Sequence, residues 1–160
     1  MSDDSQKIKI DSKDLQLLAL LQQDGRMPVS ELAQQVSLSD TPVIRRINKL
    51  QQAGYIQGYH ARLDAARLDY TICVYALVKL TQNSASAANR FEDHVAGFVQ
   101  IQECSVITGE YDYLLKIIAR DLASYELFVK HSLGSCGDIG AIESTVVLKQ
   151  TFSRWQVPLD

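Results

Sequence analysis

Residues 30–54 read Ser30-Glu31-Leu32-Ala33-Gln34-Gln35-Val36-Ser37-Leu38-Ser39-Asp40-Thr41-Pro42-Val43-Ile44-Arg45-Arg46-Ile47-Asn48-Lys49-Leu50-Gln51-Gln52-Ala53-Gly54. Leu32 and Val36 stand four apart, on one face of a short helix that Ser30 would cap. Ser37-Leu38-Ser39 interrupts that helix. A second run starts near Ser39 to Thr41. Its Pro42 falls in a first helical turn, where the missing N–H costs nothing. Val43, Ile47 and Leu50 then line one face, with Ile44 alongside, and Gly54 stops the helix. Two helices across a three- or four-residue turn form a helix-turn-helix, whose second helix enters the DNA major groove with its N-terminal residues towards the bases.

Opposite Val43 and Ile47 lie polar and basic side chains. Arg can bond guanine through two hydrogen bonds, and Thr can reach bases or phosphates. The candidate DNA-contact set is therefore Asp40, Thr41, Pro42, Arg45, Arg46 and Lys49. The plainer alternative is that the charges only solvate an exposed helix. The turn, the short preceding helix and the early proline favour DNA.

Upstream, Leu15, Leu18 and Leu21 recur every three residues with Ala19 beside them. Asp11 is positioned as an N-cap, Gly25 as a stop, and Pro28 forces a break. Downstream, Tyr55-Ile56-Gln57-Gly58-Tyr59 reads as a turn into a short strand, a wing. Residues 1–63 thus form an expected winged helix-turn-helix domain, with 64–70 as a connector.

From residue 71 the period changes. Residues 72–80 alternate as a strand, 85–97 form a helix, and 98–107 and 111–119 form two strands. A helix over 121–133, capped by Asp121, turns Leu122, Tyr125, Val129 and Leu133 inward. A last strand runs over 141–150. This βαββαβ order predicts a ferredoxin-like domain over 71–160, and α+β as the fold class. With both helices on one face, the other sheet face needs cover, and a second copy of the chain would supply it.

Bulk properties agree. A length of 160 residues fits one ordinary domain or two small ones, and 46% hydrophobic with 22% charged residues is globular. No apolar run reaches a membrane span, and Met1 to Asp11 lacks a signal-peptide core, so a cytoplasmic protein is expected. The net charge is −3, yet residues 1–63 carry eight basic against seven acidic side chains. Four of those eight (Arg45, Arg46, Lys49, Arg62) fall between 40 and 62 against Asp40 alone, a small basic patch on an acidic chain. Cys73, Cys104 and Cys136 are too far apart for a metal or disulfide framework. Cys73 and Cys104 read as small buried hydrophobes, and Cys136 as a loop residue. His60, His94 and His131 are scattered without a catalytic motif, so no enzyme, metal or cofactor is expected.

The ordered set of segments resembles the leucine-responsive regulatory protein (Lrp/AsnC) family of transcription regulators. Ile10 to Leu18 and Leu21 to Arg26 resemble the family's first helix. Ser39 to Val43 with Arg46, Ile47 and Leu50 resembles its recognition helix, and Gly54 to Tyr59 the exit from it. Ile101 to Cys104 and Gly109 to Leu115 resemble the core of its effector domain. The resemblance implies dimers that assemble into octamers or higher states, double-stranded DNA as partner, and an amino-acid effector bound between neighbouring dimers. It implies effector contacts at Val106, Thr108, Gly109, Glu110, Tyr111 and Asp112, with Leu122, Val146 and Val147 as further candidates. Asp112 could pair the ammonium and backbone N–H groups near Gly109 the carboxylate.

Two positions depart from the family pattern: Ser37 stands where a turn glycine is common, and Gly137-Asp138-Ile139 where Pro-Gly-Val is common. Alternatives stay open. Gly109 to Asp112 could be only a tight turn, with Asp112 satisfying local backbone N–H groups. The chain could be an effector-independent architectural DNA binder, or a protein-interaction module.

Overall fold

The computed structural model describes residues 8–159. Residues 1–7 and 160, which the expected domain ranges and the expected polar start include, lie outside them. The chain divides into two compact units. One holds the described residues up to Arg62 together with the segment from Ser153 onward; the other is Leu63–Phe152. The C-terminal segment, read from sequence with the second domain, thus groups with the first.

The first unit has three helices, α1 (Ser12–Gln23), α2 (Val29–Gln35) and α3 (Asp40–Gln52). Asp11 caps α1 through a reciprocal box: its side chain accepts from the Asp14 N–H, and Asp14 accepts from the Asp11 N–H, both at 3.0 Å. The core gathers Leu17, Leu32, Ala33, Val36 and Val43, with Leu20, Leu21, Met27, Val29, Leu38 and Ile47 packed around them. The inward row of α1 is therefore Leu17-Leu20-Leu21. Leucines three apart precess round a helix of 3.6 residues per turn, so Leu15, Leu18 and Leu21 do not share one inward line. Pro28, not Ser30, occupies the N-cap of α2, and no side chain caps that end.

Ser37 closes the turn between α2 and α3 at φ 54°. The left-handed conformation that a glycine would supply is kept with a side chain in place. Helix α3 ends in a Schellman motif: Gly54 has φ 75°, Tyr55 N–H donates to Leu50 O (2.9 Å) and Gly54 N–H to Gln51 O (3.0 Å). The expected wing strand is not there. Among the described residues no strand lies between α3 and Ile72. The segment after Gly54 finds no ladder partner within the chain, and a strand without one is not a strand.

The second unit is one antiparallel sheet with two helices. Strands β1 (Ile72–Leu80), β2 (Ile101–Val106), β3 (Tyr113–Ala119) and β4 (Ile139–Val146) lie in the order β2-β3-β1-β4. With α4 (Ala85–Ala96) and α5 (Leu122–His131) this is the expected ferredoxin-like arrangement. The core joins Val74, Ala76 and Val78 of β1 and Tyr113, Leu115 and Ile117 of β3 to Phe91, Val95, Tyr125 and Leu133. Tyr75, Leu77, Leu114 and Ile118 alternate onto the other face and are half-buried.

Three local readings change. Strand β4 ends at Val146 rather than residue 150. Leu122 opens α5 and is 57% exposed, because the first residue of a helix overhangs the core. The cysteines exchange places: Cys136 is buried and Cys104, on edge strand β2, is exposed. Among the described residues no helix is long and apolar enough to cross a membrane.

Candidate functional site

Helix α3 presents the first cluster. Thr41, Ile44, Arg45, Asn48, Lys49 and Gln52, with Arg46 and Asp11, line one open groove. Thr41, Ile44/Arg45, Asn48 and Gln52 follow one another at three- and four-residue steps, so they form a single row along the helix. Asp40, Thr41, Arg45 and Lys49 are exposed, and Pro42 sits half-buried in the first turn. Ile44, Asn48 and Gln52 were not among the sequence candidates. Continuing the spacing from Thr41 would have found them. Asn and Gln are the side chains that can bond adenine through two contacts, and an exposed apolar group such as Ile44 suits a thymine methyl.

Arg46 does not belong to that row. Its Nη1 donates to Asp11 Oδ1 (2.9 Å), Asp11 Oδ2 (2.8 Å) and Asp14 Oδ1 (2.7 Å). Asp14 is only 1% exposed. These contacts raise the Arg46 guanidinium pKa, Asp14 contributing most and Asp11 next. The Asp11 carboxyl is held below the usual range, first by the Asp14 N–H and then by Arg46. Lys49 is also engaged, its Nζ donating to Lys9 O at 3.2 Å.

The second cluster lies at the turn between β2 and β3. Gly109 has φ 122°, and a Cβ there would meet nothing within 4 Å. The glycine serves the backbone conformation and leaves the turn open to approach. Thr108, Gly109 and Glu110 are exposed, and Val106 is 73% exposed on edge strand β2. Tyr111 Oη donates to Glu143 Oε2 at 2.5 Å, and that contact leads in pushing the phenol pKa up. Asp112 is half-buried and already partnered. Its Oδ2 accepts from the Leu80 N–H at 2.7 Å, where the β1–β4 register shifts at Lys79/Leu80.

Leu122, Val146 and Val147 are elsewhere. Val146 pairs with Val74, Val147 N–H donates to Cys73 O, and Leu122 follows β3, whose last residue Ala119 pairs with Ile72. Val106 pairs with Tyr113, which pairs with Val78. The two groups therefore sit towards opposite ends of β1, their anchor points four to six residues or about 13–20 Å apart at ~3.3 Å per residue. One chain does not bring them into one site.

The half-buried Cys73 thiol is pushed up, chiefly by burial, which withholds the reactive thiolate. Among the described residues no group of His, Cys, Asp and Glu could hold a metal ion.

Residues 10–51 match the model of the AsnC-type helix-turn-helix domain, and residues 73–157 that of the Lrp/AsnC ligand binding domain. The chain belongs to the Lrp/AsnC family. It is 37% identical over 151 residues to the Bkd operon transcriptional regulator of Pseudomonas aeruginosa, covering 94% of this chain and 99% of that one. It is 32% identical over 153 residues to the leucine-responsive regulatory protein of Rhizobium meliloti, covering 96% and 98%. A transcriptional regulator from Neisseria meningitidis, solved as an L-Met complex, superposes with a TM-score of 0.90 at 29% identity, covering 95% of this chain and 98% of that one. An AsnC family regulator from Agrobacterium tumefaciens gives 0.88 at 30%, covering 94% and 97%. As an Lrp/AsnC member the chain is a helix-turn-helix transcription regulator with a ligand-binding domain, not an enzyme.

Proposed function

We propose that this Lrp/AsnC chain binds specific DNA sequences through the exposed row of α3, and that an amino acid controls its DNA binding or assembly. Of the contact residues first read from sequence (Asp40, Thr41, Pro42, Arg45, Arg46 and Lys49) this reading keeps all but Arg46, which is tied to Asp11 and Asp14, and Ile44, Asn48 and Gln52 extend them. The amino-acid class is supported by the Neisseria relative, which was solved with L-Met.

The observation that carries the effector reading is the separation of its candidate residues. Val106 and Thr108 to Asp112 lie at one end of β1, and Leu122, Val146 and Val147 at the other. Both groups can line one site only where one subunit's turn end meets another subunit's opposite end. This favours an assembly of at least two chains. The half-buried apolar side chains on the helix-free sheet face support a homodimer, from which octamers can be built.

Mixing two defective variants tests this. Asp112→Ala and Leu122→Arg subunits should each lack an amino-acid response. Co-assembled, they should regain up to about a quarter of it, because some junctions pair an intact turn end with an intact opposite end. Failure of the mixture to recover, with co-assembly confirmed by mass, would place each site within a single chain.

A second reading is favoured by the bond from Leu80 N–H to Asp112. If that is the carboxylate's whole task, the turn is structural and the chain is an effector-independent architectural DNA binder.

A further inference from the structure

We propose that Arg46 serves DNA binding as a positioning residue, locking α3 onto the start of α1 through Asp14 and Asp11 instead of touching DNA. The inference rests on reading α3 as the DNA-contacting helix.

Among the described residues of the first unit, Asp14 is the one buried charged side chain. Its two oxygens have separate partners. Oδ2 accepts the Asp11 N–H at the helix cap, and Oδ1 accepts Arg46 Nη1 from α3. Removing Arg46 would leave a carboxylate facing the interior without its cation, which a folded protein does not tolerate cheaply. The bond therefore fixes α3 at its centre. Two weaker ties run the same way: Lys49 Nζ to Lys9 O, and Tyr55 Oη to Ile8 O. Residues 8–14 are held to α3, and to Tyr55 three residues beyond its end, at three points.

That seam governs the rotation of α3 about its own axis. A rotation of ~10° moves side-chain ends at a radius of ~5–6 Å by about 1 Å. Hydrogen bonds to base edges tolerate only a few tenths of an ångström. Arg45, one residue earlier, is exposed in the contact row, whereas Arg46 is turned ~100° away. Adjacent arginines thus have different tasks: one faces DNA, and the other holds the helix that presents it.

Salt dependence separates the two roles, because each lost phosphate contact lowers the slope of log affinity against log salt by about one. DNA from the chain's own upstream region would be titrated by anisotropy with the full chain at several salt concentrations. Arg46→Ala should weaken binding about tenfold with the slope unchanged. Asp14→Asn removes a negative charge, so net charge alone predicts tighter binding; the latch predicts binding about three- to tenfold weaker. The pair Asp14→Leu with Arg46→Met replaces the latch by apolar packing, a swap that buried ion pairs often accept. It should recover binding to within about threefold of wild type without any guanidinium.

A slope reduced by about one in Arg46→Ala, or no recovery in a folded apolar pair, would overturn the proposal. Should Arg46→Ala not fold, Asp14→Asn and the apolar pair decide. Absence of salt-sensitive binding by the wild type is a different failure: it removes the DNA reading of α3 itself.

Discussion

The side chain of Gln22, near the end of α1, clasps the backbone of Val157 at two points. Gln22 Nε2 donates to Val157 O at 3.1 Å, and Gln22 Oε1 accepts from Val157 N at 3.0 Å. Beside it the Arg62 guanidinium lies 5.8 Å from the Trp155 ring centroid. The segment after Phe152 is thus part of the helical unit, although it follows the last strand of the sheet. Gln22→Ala should lower the unfolding free energy by about 1 kcal/mol, the worth of an exposed hydrogen-bonded pair. Trp155 is the only tryptophan, so its emission reports the segment alone. Urea unfolding followed at Trp155 should show the loss, and an unchanged midpoint would mean that the clasp contributes nothing.

At Asp112, fold and function can be parted. Asp112→Ala leaves the Leu80 N–H without its acceptor and should destabilise the sheet unit by about 1–3 kcal/mol. Asp112→Asn keeps an acceptor and should cost less. If the carboxylate also pairs an effector ammonium, both variants lose amino-acid binding by calorimetry. Retained binding in Asp112→Asn would assign the residue to the turn alone.

Ser37 holds a left-handed conformation at φ 54°. Such a conformation costs a side-chain-bearing residue roughly 1–2 kcal/mol relative to glycine. Ser37→Gly should therefore raise stability by up to about 1 kcal/mol, once the greater unfolded-state freedom of glycine is subtracted. Ser37→Val should lower it. Thermal unfolding in the opposite order would show that the turn relaxes.

Stability should fall at both ends of the pH scale. Asp11 and Asp138 have depressed folded pKa values, Asp11 through the Asp14 N–H and then Arg46, Asp138 chiefly through Arg90. Their stabilisation is present above the unfolded carboxylate value and is lost as pH falls below about 4. Tyr113 is raised instead, first by burial and then by its bond to Glu92. Its contribution is present below the unfolded phenol value and is lost as pH rises past about 10. Arg90→Ala should lower stability at neutral pH and flatten the acid loss, and Tyr113→Phe should flatten the alkaline loss, both read from denaturation midpoints across pH.

Much of this was legible in the sequence because period decides secondary structure. The alternation through Val74, Ala76 and Val78 and the Asp121 cap of α5 describe the sheet unit closely. The Val43–Leu50 spacing and the stop at Gly54 describe α3. Several features that the sequence did not show share one cause, which is partners remote in sequence. Arg46 and Asp14 are 32 residues apart, so their bond leaves no local signal in the sequence. The C-terminal segment finds Gln22 across 135 residues. Ile44, Asn48 and Gln52 were within reach, but uncharged side chains give a charge-led reading no signal. The wing failed because a strand needs a mate that local pattern does not supply.

The most direct test of the regulator reading is fluorescence anisotropy of the purified chain against DNA from its own upstream region, over a range of salt, with and without each of the twenty amino acids. The account predicts tight binding that weakens steeply with salt and shifts with one or a few amino acids. Binding that no amino acid shifts would contradict the effector reading, and no binding even at low salt would contradict the assignment of α3 to DNA.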